Sequence, residues 1–318
     1  FLQIVSGNAS KVFRFGTGTT IAEACQEIRE RLGEGDETYG LFQARTKAGD
    51  KAQSRSRWLA LDRAIGTFDL DNGDQLEFKS TNRPVKVAMP DGSAKTVLID
   101  DSSLVEKIIE QMGYKLGLTN AEEYGISVVI NGKDTWLQPR FTLYEQPQVI
   151  RSDAQLNFRK RFFVDDASVD KSDPTQLNFI YTQSLGRVLD GTYPCKSEEA
   201  VLFAAIQLQV EVGNFNPQHH NTAYIKKKTV FPKQFQNKEL EGAVLKEWGK
   251  LVNTNEVNAK FKYVSTVRSL PTFGITLWTV REQVPKKRKL QEVLLGLTRD
   301  AVVRMDPQSK TILSTFPL

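Results

Sequence analysis

Cysteine and histidine are scarce in this chain of 318 residues, with two of each. Cys25 and Cys195 stand far apart, in or beside helical patterns. That excludes a disulfide framework and reads as buried thiols of a reducing compartment. His219 and His220 are neighbours in sequence, and adjacent residues cannot face one metal ion from one helical turn. No carboxylate or thiol stands at ligand spacing from them, so a solvated loop pair is the expectation. Neither cysteine has a histidine placed to form a nucleophile pair. Gly16-Thr17-Gly18 lacks the Gly-Lys-Ser/Thr that completes a phosphate loop and reads as a turn before a helix. Carboxylates are plentiful, but no pattern assigns them acid–base work. The sequence therefore carries no enzyme signature and calls for no cofactor or metal. Long apolar runs are also missing. The longest, Ala200 to Ile206, has seven residues, too few to span a bilayer. No secretory leader pattern is visible, and a chain opening on Phe1 rather than Met is expected to lack native residues.

What is present is ordinary for a folded domain set: 40% hydrophobic and 25% charged residues. The length predicts two or three domains, or more if they are small. A net charge of +5 is modest, so any acidic partner must be argued from local clusters. The chain turns on QLNFRKRFFVDDASVDKSDPTQLNFIYTQ, Gln155 to Gln183. Before it the hydrophobic period is mostly two, and after it mostly 3.6. Leu156, Phe158 and Lys160 alternate as on a strand. Asp173 and Pro174 form an N-cap and first position of a helix. The alternation points Arg159 and Arg161 one way and Lys160 the other. The triplet then closes one lobe, and the acidic turn Asp165 to Asp173 is placed to meet it.

The first half repeats itself. Gly7-Asn8 separates two alternating runs, Thr19 or Thr20 caps IAEACQEIRERL, and Gly33 ends it. YGLFQA, RWLALD and an Asn-Gly turn before QLEFK follow. From Arg83 the order recurs: a hairpin on Asp91-Gly92, then Asp101 or Ser102 capping LVEKIIEQMGYKLG, then YGISVVI, Asn131-Gly132, TWLQPRFTLYEQ and QLNFRKRF. The pairs Trp58-Leu59 and Trp136-Leu137 fall at matching places. Hairpin, helix, short strands and a last strand make a ubiquitin-like β-grasp order, present twice.

Four helical segments follow Pro174: TQLNFIYTQSLGRVLDG, SEEAVLFAAIQLQVEVG opened by Ser197, ELEGAVLKEWGKLV and NEVNAKFKYVSTVRSL. A loop, NFNPQHHNTAYIKKKTVFPKQF, lies between the second and third. From Pro271 the period returns to two. TFGITLWTVRE and LQEVLLGLTRDAVVRMDPQSKTILSTF read as a meander, with Leu294 to Thr298 as an alternative turn. This last stretch is short for an autonomous sheet domain, so a lobe that is cut off is the expectation.

Three basic clusters remain: Arg159 to Arg161, Lys226 to Lys228 with Lys233 and Lys238, and Lys286, Lys287, Arg288 and Lys289. A solvated surface is the plain reading of each. The second and third lie in loops with apolar neighbours, Tyr224, Ile225, Val230 and Phe231 in one and Leu290 in the other. Such loops suit an anionic leaflet, where each lysine contributes about 1 kcal/mol. Nucleic acid is the competing acidic partner, but no stacking-plus-basic motif of an RNA-binding sheet is present.

Two ubiquitin-like lobes, a helical lobe and a sheet lobe, in that order, resemble the FERM head of the talin family. RKRFFVDDASVDKSDPTQLNFIYTQ, GLTNAEEY (117–124), FPKQF (231–235), KYVSTVRSLPTFGI (262–275) and LLGLTRDAVVRMD (294–306) carry the resemblance. So do GLF (40–42), RWL (57–59) and the Cys25 helix with IRERL (28–32), over essentially the whole chain. The resemblance implies an α+β multidomain fold. Its lobes are ubiquitin-like at 1–81 and 82–163, acyl-CoA-binding-protein-like with four helices at 164–270, and partial phosphotyrosine-binding/PH-like at 271–318. It implies a non-enzymatic adaptor at the cytosolic face of the plasma membrane, in the cell cortex at adhesion sites. The partners implied are phosphoinositide lipid, the small GTPase Rap, integrin-type receptor tails and actin, and not nucleic acid.

Carried over by position, the resemblance assigns Lys11, Arg31, Lys95 and Lys115 to the GTPase, with Gln26 where the family has arginine. Arg281, the 286–289 loop and Leu290 match the membrane-facing and receptor-proximal loop. The strand that would pair with an NPxY segment is expected beyond Leu318. Several lipid-binding positions of the family fall on Asn237, Glu239 and Gly242; Lys226 to Lys228, Lys233 and Lys238 stand nearby as substitutes. The family's long basic insertion in the second lobe has no counterpart in YGISVVINGKDTWL; either this member lacks it or this sequence omits it. The competing reading is a FERM module regulating or targeting another cytoskeletal protein or an attached enzyme; a purely actin- or scaffold-binding module is a third.

Overall fold

The computed structural model describes residues 1–44, 56–130, 133–146, 155–163, 171–236, 239–283, 289–298 and 300–318. The chain forms two compact units, Phe1–Lys115 with Gly125–Phe158, and Leu116–Tyr124 with Arg159–Leu318. The acidic turn expected to meet Arg159 to Arg161 lies largely outside the described residues.

In the first unit, β1 (Leu2–Ser6) and β2 (Ala9–Phe13) form a hairpin turned by Gly7, whose φ of 54° suits glycine. Helix α1 (Ile21–Leu32) follows, with Thr20 as its cap. The Thr20 hydroxyl accepts from Glu23 N–H at 3.2 Å while the Glu23 carboxylate accepts from Thr20 N–H at 2.8 Å. This capping box satisfies two donors that the helix start leaves free, and those hydrogen bonds hold the Glu23 carboxyl below its usual range. With β3 (Tyr39–Gln43), β4 (Arg57–Trp58) and β5 (Gln75–Ser80) the sheet order is β2-β1-β5-β3-β4. Ile4, Ile21, Ile28, Leu41 and Phe78 fill the space between helix and sheet.

The second sheet repeats that order. It comprises β6 (Asn82–Ala88), β7 (Ala94–Asp100), β8 (Tyr124–Ile130), β9 (Lys133–Trp136) and β10 (Leu156–Lys160), arranged β7-β6-β10-β8-β9, with α2 (Val105–Leu116) after the hairpin. The repeat extends to single hydrogen bonds. Ile21 and Ala22 N–H donate to the carbonyls of Arg63 and Leu61; Val105 and Glu106 N–H donate to those of Phe141 and Pro139. Leu59 and Leu137, the second members of the Trp-Leu pairs, donate to Leu41 and Ile126 and are both buried.

The structure corrects the expected cap of α2. Asp101 is turned to Arg83, accepting from its Nε at 3.1 Å and a terminal nitrogen at 2.9 Å. Ser102 binds the Asp100 carboxylate instead. Helix α2 starts later, at Val105, and the 139–141 loop takes over its first free donors. The two sheets of this unit meet through Asp101 N–H to the Thr81 carbonyl, Thr81 N–H to the Thr38 carbonyl, and Phe42 edge-on to Tyr144 at 4.9 Å.

In the second unit α3 (Pro174–Leu189) begins with Asp173 accepting from Gln176 N–H, as the sequence predicts. Helices α4 (Ser197–Glu211), α5 (Thr222–Lys226), α6 (Glu241–Gly249) and α7 (Glu256–Val267) follow. Helix α4 is buried on most of its surface, which accounts for the unbroken apolar run Ala200 to Ile206. Among the described residues no helix is long and apolar enough to cross a membrane.

Strands β11 (Thr276–Gln283), β12 (Leu290–Leu297), β13 (Ala301–Met305) and β14 (Ile312–Pro317) form an antiparallel meander over Ile275, Leu294, Val303 and Met305. The alternative turn at Leu294 to Thr298 is corrected. Leu294 to Leu297 complete β12, because Leu294 packs inward opposite Met305.

Candidate functional site

The basic residues fall into three groups. In the first unit, Lys11 on β2 and Arg31 in the last turn of α1 are brought together: Lys11 Nζ donates to the Arg31 carbonyl at 3.5 Å. Lys11 sits on the outer strand opposite buried Ile4, so its side chain shares the helix-bearing face. Arg31 pairs with Glu27 at 2.7 Å and lies over the Phe13 ring. Gln26, one turn earlier, is exposed and bonded to Glu30. The second sheet reproduces the layout. Lys95 stands opposite buried Val87, and Lys115, in the last turn of α2, donates to the Leu98 carbonyl at 3.2 Å. Tyr114 and Leu98 are exposed beside them.

The second group surrounds α5. Asn221 caps this short helix by accepting from Tyr224 N–H at 2.9 Å. Lys226 is its last residue and Lys227 and Lys228 follow, all three exposed, so the cluster begins on a helix rather than wholly in a loop. The apolar neighbours do not reach outward as the sequence suggested. Ile225, Val230 and Phe231 are buried in the helical core, and Tyr224 packs on His220 and Trp248. They anchor the segment while the lysines project. Lys233 is exposed in a single turn at Lys233–Phe235; Lys238 lies outside the described residues. A concavity of about 630 Å³ opens here, lined by Lys226, Lys227, Lys228, Thr229, Glu239 and Glu241 among others. Glu241 is the first residue of α6.

The third group is at the far end of the β11–β12 hairpin. Arg281 faces Glu292 at 3.7 Å and Gln283 faces Leu290, so Arg281 and Leu290 share one face. Leu290 and Lys289 are exposed; Lys286, Lys287 and Arg288 lie outside the described residues. On the opposite face Arg304 and Gln291 donate to Glu282, holding its carboxyl down at about 2.

Sequence reasoning missed two features. Lys160, from the basic triplet, is 0% exposed. Its ammonium donates to the Glu123 carboxylate and to Gln176 Oε1, and its backbone exchanges hydrogen bonds with Gln183 at 3.1 and 2.7 Å. Alternation hinted at the inward turn, but nothing local marked Glu123 as its partner. His220 is the second. It stacks on Trp248 at 4.4 Å and accepts at Nδ1 from Asn216 N–H, so of the predicted solvated pair only His219 is exposed. Burial, then the neighbouring His219, lowers the His220 pKa. Of the two thiols expected to be buried, Cys25 is buried and Cys195 is half-buried; burial pushes both up to about 11. Among the described residues no group of three acidic, histidine or cysteine side chains is arranged to hold a metal ion.

Set beside known proteins, residues 2–80 match the profile described as the N-terminal or F0 domain of Talin-head FERM, and residues 166–278 match the FERM central domain. Talin-B of Dictyostelium discoideum is 38% identical over 320 residues, covering 100% of this chain and 12% of that protein. Talin of Oscarella pearsei is 34% identical, and Talin-1 of Gallus gallus 30%, each covering 100% of this chain and 14% of the relative. The chain therefore spans 12–14% of the length of these relatives. Among solved structures, the Dictyostelium myosin VII MyTH4-FERM MF2 domain superposes with a TM-score of 0.62 at 19% identity, covering 74% of this chain and 50% of that one. The FERM domain in the Drosophila Merlin FERM and C-terminal domain complex gives 0.59 at 16%, covering 74% and 79%. At such identities the likeness shows the fold, which is FERM-type and α+β.

Proposed function

This chain is a talin-head FERM homologue, and on that premise we propose that it is a non-enzymatic cytoskeletal adaptor head working at the cytosolic face of the plasma membrane. It docks on anionic, phosphoinositide-containing membrane, and it carries receptor and GTPase sites that link adhesion receptors to actin. Four lobes, at 1–81, 82–163, 164–270 and 271–318, divide these tasks. The observation that carries the membrane reading is the Lys226 to Lys228 segment. Its apolar residues are buried in the core, and its ammonium groups project without an ion pair among the described residues. Three such lysines contribute about 3 kcal/mol at an anionic surface, roughly a hundredfold in affinity. Co-sedimentation with phosphoinositide vesicles tests this. Replacing Lys226, Lys227 and Lys228 with Glu should weaken binding by at least about a hundredfold; unchanged binding would refute the assignment.

The GTPase reading rests on the paired placement of Lys11 with Arg31, repeated by Lys95 with Lys115. An NMR titration with GTP-loaded Rap is expected to shift amides around both pairs, and an unmoved spectrum rejects the site. Arg281 and Leu290, sharing one face of the β11–β12 hairpin, are the proposed receptor contacts.

A further inference from the structure

His220 closes the turn that leads into α5. Its ring stacks on Trp248 of α6 at 4.4 Å, with Tyr224 of α5 at 4.9 Å and Phe215 at 5.9 Å. Trp248 is fully buried, so a half-buried histidine rests directly on a ring of the helical core. The His220 Nδ1 accepts from Asn216 N–H at 2.9 Å, while the N–H groups of His219 and His220 donate to the Asn216 carbonyl at 3.1 and 2.8 Å. Both backbone groups of Asn216 are therefore held, and one of them needs an imidazole nitrogen that carries no proton. Helix α5 stands on this turn. Asn221 caps it, and of its five residues only Tyr224 and Ile225 are withdrawn from solvent. Five residues are too few to hold a helix in water by themselves, so its order depends on these anchors.

A proton on Nδ1 turns this acceptor into a donor and sets it against the Asn216 N–H. The groups around the ring do not compensate. On the same turn His219 adds like charge once protonated. On α5 the ring meets the Tyr224 phenol, and the charges that follow, Lys226 to Lys228, are all cations. On α6 Glu247 and Lys250 flank Trp248 and bond each other. Among the described residues no carboxylate supports the charged form of His220; burial, then His219, lowers its pKa from 6.5. Attraction of an imidazolium to the Trp248 face works the other way and keeps the ring stacked, so what acid releases is the turn. We infer that His220 is an acid-sensitive latch, which fixes the Asn216–His220 turn and α5 when its Nδ1 is bare and frees them when it is protonated. The order of the Lys226 to Lys228 segment follows its state, whether or not those lysines meet a membrane. The unfolded chain takes up this proton first, so the latch contributes fully to stability above 6.5, and the contribution is lost as pH falls through the folded-state value.

The experiment uses the 318-residue chain. Imidazole NMR follows the protonation of His220, with His219→Gln assigning its signal, and hydrogen exchange follows the Asn216 amide. The His220 midpoint is expected below 6.5. As pH falls from about 7.5 to about 5, the protection factor of the Asn216 amide should drop about tenfold with that same midpoint, the effect of one hydrogen bond. The Tyr224 amide, held by Asn221, should lose protection with it. His220→Asn offers an acceptor oxygen in place of Nδ1 and takes up no proton, so protection at Asn216 should not respond to acid. His220→Phe keeps a ring for Trp248 without an acceptor and should leave Asn216 weakly protected at every pH. Unchanged protection across the His220 titration, or an equal drop in His220→Asn, overturns the latch. A drop at Asn216 with Tyr224 unmoved overturns its hold on α5. Thermal unfolding checks that the variants fold. If neither does, agreement or disagreement of the two midpoints in His219→Gln decides the question.

Discussion

At Gly296 in β12 an added Cβ would lie 2.5 Å from Ile275 Cγ2 and 2.9 Å from Val303 Cγ2. Neither β-branched neighbour can swing away, because both are part of the small core of the last sheet. Gly296→Ala should therefore destabilise this sheet by about 1–3 kcal/mol in denaturant unfolding. The thiols give a second test at this scale. With both pushed up to about 11 by burial, the thiolate fraction near neutral pH is very small. Maleimide labelling of the folded chain should be slow at both positions and become rapid on unfolding. The sequence hinted at this through the apolar surroundings of Cys25. The need for glycine at position 296 was invisible, since it arises from Ile275 and Val303 on neighbouring segments.

Among the elements, the end of β10 is set by one buried ion pair. Lys160 reaches Glu123 and Gln176 with no exposure to solvent. Lys160→Met would leave Glu123 buried and short of its cation, at a cost of about 3–5 kcal/mol, and adding Glu123→Leu should recover much of it. A denaturation double-mutant cycle measures both. Burial holds the Lys160 ammonium below the usual lysine value, outweighing the pull of Glu123. The unfolded chain therefore binds more protons than the folded one at alkaline pH, just below the ordinary lysine value. Stability gains a positive slope with pH in that window, and Lys160→Met should lose that slope. Alternation along β10 anticipated which side Lys160 takes; the burial itself depends on α3, far along the chain.

Across the whole molecule, a net charge of +5 is too small to act as a uniform field. The proposed membrane attraction therefore rests on clusters such as Lys226 to Lys228. Because their apolar neighbours are locked in the core, binding should be chiefly electrostatic. Raising salt from about 0.1 M to about 1 M shortens the screening length from about 10 Å to about 3 Å and should nearly abolish vesicle binding. Persistent binding at high salt would instead mean that apolar side chains insert.

The sequence by itself determined the doubled order of strands and helix, the change of period at Gln155 to Gln183, the capping of α1 and α3, and the burial of Cys25. These follow from short-range patterns, hydrophobic period and cap chemistry, which act within a few residues of each other. Only the tertiary structure decided that Asp101 serves Arg83 rather than α2, and that His220 stacks on Trp248. It alone buried Ile225 and Phe231 beneath the lysines and brought Glu241 to the same cavity as Lys226. Each of these depends on partners distant in sequence, whose meeting is set by packing rather than by any local preference. The lysine cluster was legible as charge, but the acids that give its cavity a second sign became visible only when the chain closed around them.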